Sequence, residues 1–171
     1  MVTIRDAAPA DIPAIHAIYA HHVLHGLASF EEVPPPVEEM RARFDAIVSA
    51  GKPYIVAEVY GGVAGYGYAS AYRTRSAYRY TLENSVYVAE GMRGKGVGSA
   101  LLRTLVERCQ RGPWRQMLAI IGDSGNAASI GVHRKAGFRQ VGVLERVGYK
   151  HGRWVDSVVM QLELSPADPD R

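Results

Sequence analysis

The chain has 171 residues, with 20 Lys and Arg against 17 Asp and Glu for a formal net charge of +3, and 47% of its residues are apolar. That profile belongs to a folded globular chain of about one domain and excludes a disordered one. The charge is too small and too scattered to argue for nucleic acid, and no apolar run approaches the roughly 18 residues of a membrane-spanning helix. The lone Cys109 can form neither an internal disulfide nor a Cys-rich zinc site. The first residues lack a basic segment followed by an apolar stretch, so no signal peptide is expected and a reducing, cytoplasmic setting is the default.

Residues 2–5 alternate enough for a short strand. Asp11 then offers a side-chain N-cap, and Pro13 suits a first helical turn. Ile12, Ile15, Ile18, Tyr19, His22 and Val23 recur at helical spacing up to Gly26, which predicts a first helix. Pro34-Pro35-Pro36 can be neither helix interior nor central strand, so residues 30–36 are expected to be irregular. Met40, Phe44 and Ile47 mark a second amphipathic helix over 37–48. Residues 54–59 and 63–72 read as strands joined by a Gly61-Gly62 hairpin turn, with Gly65 and Gly67 thinning one face. Residues 81–88, rich in Thr, Val and Tyr, read as another strand. After a Gly-rich break, Leu101, Leu102, Leu105, Val106 and Cys109 share one helix face, opposite Arg103, Thr104, Glu107 and Arg108. The apolar run 117–121 reads as a strand buried on both faces. Residues 126–136 read as a further helix closed by Gly137, and 138–144 and 155–164 as late strands around a turn containing Gly152.

The resulting order is β-α-α-β-β-β-α-β-α-β-β, with no repeat and no linker. It predicts one α/β domain over 1–164, followed by a frayed tail over 165–171. The hairpins are antiparallel, whereas the central β-α-β passage requires a parallel pair with a right-handed crossover, so the sheet is mixed.

The strongest chemical signal is the passage from strand 81–88 through Arg93-Gly94-Lys95-Gly96-Val97-Gly98 into a helix. Glycines there let backbone N–H groups converge, the helix N-terminus favours an anion, and Arg93 and Lys95 add charge. A phosphate or pyrophosphate cradle is the physical prediction; a solvated Gly-rich turn is the plain alternative. The nucleotide P-loop does not fit, because Val97 follows Gly96 where Lys is required. The dinucleotide fingerprint fails as well, with Ser99 or Leu101 where its third Gly belongs.

Arg93-x-x-Gly96-x-Gly98 entering an amphipathic helix resembles the coenzyme A pyrophosphate loop of the GNAT superfamily of N-acetyltransferases. Asn126, Ala127, Ala128, Ser129 and then Val132-His133-Arg134-Lys135-Ala136-Gly137-Phe138 resemble the second half of that pattern. Three further segments resemble the phosphinothricin and methionine sulfoximine acetyltransferase subgroup. They are Thr81-Leu82-Glu83-Asn84-Ser85-Val86-Tyr87-Val88, Ala119-Ile120-Ile121-Gly122, and Gly148-Tyr149-Lys150-His151-Gly152-Arg153-Trp154-x-Asp156. The resemblance covers about residues 1–164. It implies the GNAT fold, a single mixed, mostly antiparallel sheet whose central parallel pair is splayed and flanked by helices.

The resemblance also implies acetyl transfer from acetyl-CoA to the α-amine of a small amino-acid analogue, by direct attack and with no metal. Pantetheine would lie against the backbone of Val86, Tyr87 and Val88, with the pyrophosphate on Arg93, Gly94, Lys95, Gly96, Val97, Gly98 and Ser99. Asn126 and Ser129 would reach it from the next helix. A protonated amine cannot attack, so a base is needed. Glu83, a carboxylate inside an apolar strand and at the subgroup's base position, is the candidate; a structural carboxylate paired with Arg is the alternative. His133 would protonate the leaving thiolate or bind the thioester region, or else it is a packed helix histidine. A backbone N–H at Val88 or its neighbour would stabilise the oxyanion. Arg73, Arg75 and Tyr78 suit the acceptor's carboxylate and phosphinate or sulfone oxygens, with a solvated basic loop as the alternative for Arg73, and Phe30 and Glu32 would close the pocket opposite or else belong to an exposed loop. Cys109 is read as a small core hydrophobe.

His21 and His25 are spaced for a metal pair, but no third ligand accompanies them. The resemblance further implies a homodimer, with no nucleic acid or membrane partner. Two rival readings are a protein or peptide N-terminal acetyltransferase and a non-catalytic acyl-CoA-binding module.

Overall fold

A computed structural model describes residues 1–165; the tail expected over 165–171 lies, beyond Ser165, outside the described residues. The elements are β1 (Thr3–Asp6), α1 (Ile12–His25), α2 (Val37–Ser49), β2 (Tyr54–Val59), β3 (Gly62–Ala71), β4 (Thr81–Val88), α3 (Val97–Gln110), β5 (Gln116–Gly122), α4 (Ala127–Lys135), β6 (Arg139–Lys150) and β7 (Arg153–Glu163). Their order is the expected one. The seven strands form one sheet in the order β1-β2-β3-β4-β5-β7-β6.

Only β4 and β5 run parallel among the described strands, and their register lasts just from Thr81↔Gln116 to Asn84↔Ala119. Beyond that point β4 stays with β3 as far as Val88, and β5 stays with β7 as far as Gly122. The sheet therefore parts in its middle. On one face Leu82, Met117, Ala119, Val158 and Met160 pack under α3. On the other, Tyr54, Val56 and Tyr66 pack under α1 and α2. Gly65 sets the distance of α3 from the sheet: a Cβ there would lie 2.8 Å from the Tyr87 carbonyl oxygen and 3.1 Å from Leu101 Cδ1.

Three expectations change. Asp11 does precede α1, but its side chain does not cap that helix. It accepts from the Ala8 N–H at 2.7 Å, and Arg5 claims the carboxylate in an ion pair at 2.7 Å. The apolar run 117–121 is not covered on both sides: Ile120 is 38% exposed, because α1 and α2 lie over β2–β4 and leave this face of β5 open. Finally, β6 runs on past Leu144 to Lys150 through a register shift between Leu144 and Gly148. Arg146 takes φ 51° there, and its N–H is held by Asp156 Oδ1 at 2.9 Å.

Candidate active site

The parting of β4 and β5 opens a cavity of about 280 Å3. Side chains alternate along a strand, so Glu83, Ser85 and Tyr87 point to the α1/α2 face and Asn84, Val86 and Val88 to the α3/α4 face. Glu83 and Asn84 still line the same cavity, because it passes through the gap in the sheet. His133, Val86, Tyr87, Asn126, Ser129 and Phe30 also border it.

Glu83 is half-buried near Tyr68 and Tyr87, and burial pushes its carboxyl above the ordinary range. No basic side chain pairs with it among the described residues, so the expected alternative of an Arg-paired structural carboxylate is not what is seen. A carboxylate that lacks a cation and has lost water is suited to taking a proton near neutral pH.

His133 projects from α4 and is buried. Its Nδ1 lies 2.8 Å from the Ser129 carbonyl and its Nε2 lies 3.0 Å from Asn84 Oδ1. Asn84 Nδ2 donates onward to the Leu118 carbonyl at 3.1 Å, which fixes which end of the amide faces the ring. Both ring nitrogens thus face acceptors. A neutral ring satisfies one of them and only the imidazolium satisfies both, while burial pushes the pKa down. The chain from His133 through Asn84 to Leu118 ties α4, β4 and β5 at the vertex of the gap.

The open edge of β4 is selective. Ala89 N–H donates to the Ala64 carbonyl at 2.9 Å. By alternation Tyr87 and Ser85 also bond to β3, leaving the N–H and C=O of Val86 and Val88 toward the gap. Tyr87 therefore contributes its ring rather than its backbone. The Val88 carbonyl is already taken by His22 Nε2 at 2.8 Å. Val86 N–H, Val86 C=O and Val88 N–H are what a ligand lying along the strand can use.

Past Val88 the chain turns into α3. Gly94 and Gly96 take φ 76° and 79°, the left-handed region that favours glycine. Ala100 N–H makes the bond to the Gly96 carbonyl, at 3.0 Å, so the N–H groups of Val97, Gly98 and Ser99 have no partner within the helix. Val97 is buried in the core and offers only its backbone. Arg93 and Lys95 flank this N–H cluster, which fits a pyrophosphate. Asn126 caps α4 by accepting from Ser129 N–H at 3.1 Å, which leaves its amide N–H2 free to donate. A second groove of about 250 Å3 between α3 and α4 is lined by Ser99, Arg103, Glu107 and Lys135, with Glu107 paired to Arg103 at 4.0 Å.

The predicted acceptor residues divide. Phe30 borders the cavity, but Arg73, Arg75, Tyr78 and Glu32 do not. Arg73 instead stacks on the Tyr72 and Tyr78 rings, 5.1 and 5.9 Å from their centroids, in the turn before β4. Arg75 and Glu32 are exposed. Glu31 is committed elsewhere: it accepts from Tyr19, and Arg43 holds it at 2.6 Å. His21 and His25 rings lie 4.9 Å apart, and the described residues contain no group of three His, Cys, Asp or Glu able to hold a metal. Cys109 is fully buried, with burial raising its thiol to about 12.

Sequence reading missed Asn84, Ser29, Ile120 and Ser157 as cavity residues. Asn84 carried the one available signal, a polar amide on the buried face of an apolar strand.

The chain matches the Acetyltransferase (GNAT) domain family over residues 4–159. It is 58% identical over 166 residues to phosphinothricin N-acetyltransferase of Alcaligenes faecalis, covering 97% of this chain and 84% of that protein. It is 44% identical to L-methionine sulfoximine/L-methionine sulfone acetyltransferase of Pseudomonas paraeruginosa, covering 96% of this chain and 95% of that one. The crystal structure of a Sinorhizobium meliloti phosphinothricin acetyltransferase in complex with AcCoA superposes with a TM-score of 0.93 at 47% identity, covering 96% of this chain and 89% of that one. With the parted β4–β5 pair and the glycine turn into α3, these matches establish that the chain belongs to the GNAT acetyltransferase family.

Proposed function

We propose that this chain is an acetyl-CoA-dependent N-acetyltransferase for the α-amine of a small amino-acid analogue of the phosphinothricin, methionine sulfoximine or methionine sulfone type, with 1–164 as one catalytic domain. The observation that carries this reading is Glu83, a desolvated carboxylate without a cation, in a cavity that crosses the sheet beside the free N–H groups of β4. The relatives' names supply the acceptor class. A cavity of about 280 Å3 bordered by Phe30 suits a small zwitterion better than a peptide.

Acetyl-CoA supplies the acetyl group as a thioester. Val86 and Val88 hold the pantetheine edge-on, the N–H groups of Val97, Gly98 and Ser99 with Arg93 and Lys95 hold the pyrophosphate, and Asn126 donates from α4. Glu83 takes one proton from the acceptor's ammonium group and makes it a nucleophile. The second amine proton, lost as the N–C bond forms, ends on the departing sulfur. A Val86 or Val88 N–H donates to the carbonyl oxygen as charge builds on it. His133, bonded at both ring nitrogens, keeps Asn84 and the vertex of the gap in place, and the two proton transfers above balance without it. Arg73, Arg75 and Tyr78, at the turn before β4, and Glu32 lie outside the cavity lining, so they act on the acceptor at its approach and not as contacts within the cavity.

We further propose that the chain works in the cytoplasm as a homodimer. Val141, Leu144 and Val147 on the edge strand β6, and Tyr149 and Trp154, whose rings meet edge-on, are exposed apolar side chains that a second copy would cover. Sedimentation of wild type against Val147→Asp tests this; a monomeric wild type overturns it. For the activity, protein, acetyl-CoA and each analogue are mixed and free thiol is followed. Absence of thiol release with every analogue, or full activity in Glu83→Gln, would sink the corresponding claim.

A further inference from the structure

The tip of the β6–β7 hairpin carries a buried ammonium that the chemistry above does not use. Lys150 is 1% exposed. Its Nζ donates to the Ser29 carbonyl at 2.6 Å, across 121 positions of sequence. Ser29 lies between Ala28 and Phe30, and all three border the cavity facing Glu83. Glu31 and Glu32, on the same loop, are the carboxylates acting on Lys150.

Phe30 is received just as specifically. A Cβ on Gly148 would lie 2.5 Å from Phe30 Cε2. A Cβ on Gly122 would lie 2.0 Å from the Leu27 carbonyl oxygen and 3.1 Å from Phe30 Cε1. Gly122 ends β5, opposite Ser157, and Gly148 lies opposite Val155, so the ring lies across β7 in a trough whose two sides are glycines. His151 Nε2 meets the Gly26 carbonyl at 3.3 Å at the loop's other end.

We propose that Lys150 and Gly148 are positioning residues that set the acceptor pocket: Gly148 makes room for the Phe30 ring, and Lys150 pins the 28–32 loop over it as the wall opposite Glu83. This rests on the acceptor reading above. An ammonium is used because one charged donor on a loop carbonyl holds a segment that has no sheet partner of its own. Loss of that bond leaves the loop held only from the α1/α2 side, by Tyr19 on Ser29 and Glu31 and by Arg43 on Glu31, so the wall at Phe30 loosens and acceptor binding weakens while the N–H cluster at α3, on the other side of the gap, is untouched.

The test compares Lys150→Met with wild type. The expected result is an acceptor KM raised about 10- to 100-fold, an acetyl-CoA KM within about twofold, and faster amide exchange confined to residues 27–32. Equal changes in both KM values, or no change in either, overturn the proposal. Should Lys150→Met fail to fold, Gly148→Ala decides. The three atoms nearest such a Cβ all belong to the Phe30 ring, so it raises the acceptor KM, and adding Phe30→Leu restores it at least in part; a double variant no better than the single one overturns the proposal. Should wild type acetylate none of the analogues, the acceptor reading falls by itself, and exchange at 27–32 in Lys150→Met still reads whether Lys150 pins the loop.

Discussion

The two walls of the cleft are assembled differently. On the α3/α4 side most partners are close in sequence: Asn126 caps Ser129 three residues on, His133 reaches back four to Ser129, and Gly94 and Gly96 bend the loop that feeds directly into α3, with the His133–Asn84 bond across 49 positions as the long-range exception. On the Phe30 side they are remote. Arg43 reaches Glu31 across 12 positions, and Lys150 reaches Ser29 across 121. A contiguous wall depends on local turn geometry, whereas a remote wall depends on the whole sheet being in register. The first suits a ligand common to a whole family and the second a pocket whose acceptor varies among relatives. Variants should therefore separate into those that change one KM and those that change the other.

The largest expected effect lies between the walls. Glu83→Gln should lower kcat/KM for the acceptor by about 10²- to 10⁴-fold, with acetyl-CoA still binding, as steady-state kinetics and calorimetry would show. The pH profile carries the sign. Burial raises the Glu83 pKa above its ordinary value of 4.5. Wild-type activity should then fall as pH drops through that raised pKa, on a limb that Glu83→Gln lacks. The same shift means the folded chain holds this proton more tightly than the unfolded one. Glu83 thus favours folding below its unfolded pKa and loses that contribution as pH rises through its folded pKa. At pH 8 the Gln variant should melt higher than wild type even though it is slower.

Next comes the contiguous wall. Gly96→Ala forces a side chain into φ 79° and should raise the acetyl-CoA KM by about tenfold, leaving the acceptor KM in place. Equal shifts in both constants would break the comparison. His133→Phe keeps a ring but removes both nitrogens. It leaves whichever of the Ser129 carbonyl and Asn84 Oδ1 the neutral ring served without its donor, which should cost about 1–3 kcal/mol in urea unfolding. The smallest effect is expected at Cys109. Cys109→Ala should lose about 1 kcal/mol of stability by emptying a buried site, with kcat/KM unchanged; a large loss of turnover would argue for a thiol intermediate.

Several elements were legible because their cause is local. The span of β4 follows from its Thr, Val and Tyr run, and the turn into α3 from its glycines. Glu83 stood out as a charge in an apolar strand. Others were decided at a distance. Asp11 has the right spacing to cap α1, but Arg5 on β1 takes its carboxylate. The run 117–121 is apolar throughout, yet nothing within it says that the helices cover only half the sheet and leave Ile120 open. The strand period along β6 breaks at Arg146, where Asp156 of the neighbouring strand holds the bulge.

The sequence by itself determined the element order, the glycine turn that gathers free N–H groups at the start of α3, and the place of the Glu83 carboxylate inside an apolar strand. These depend on backbone conformation and residue chemistry within short segments. Tertiary structure alone decided which carbonyls of β4 remain free, that His133 is engaged at both nitrogens, and that Lys150 is buried. Lys150 stands between Tyr149 and His151 in a hairpin, where a lysine ordinarily meets water. It is buried because the loop after α1 is laid over it, and such a meeting of segments 121 positions apart exists only once the sheet has formed.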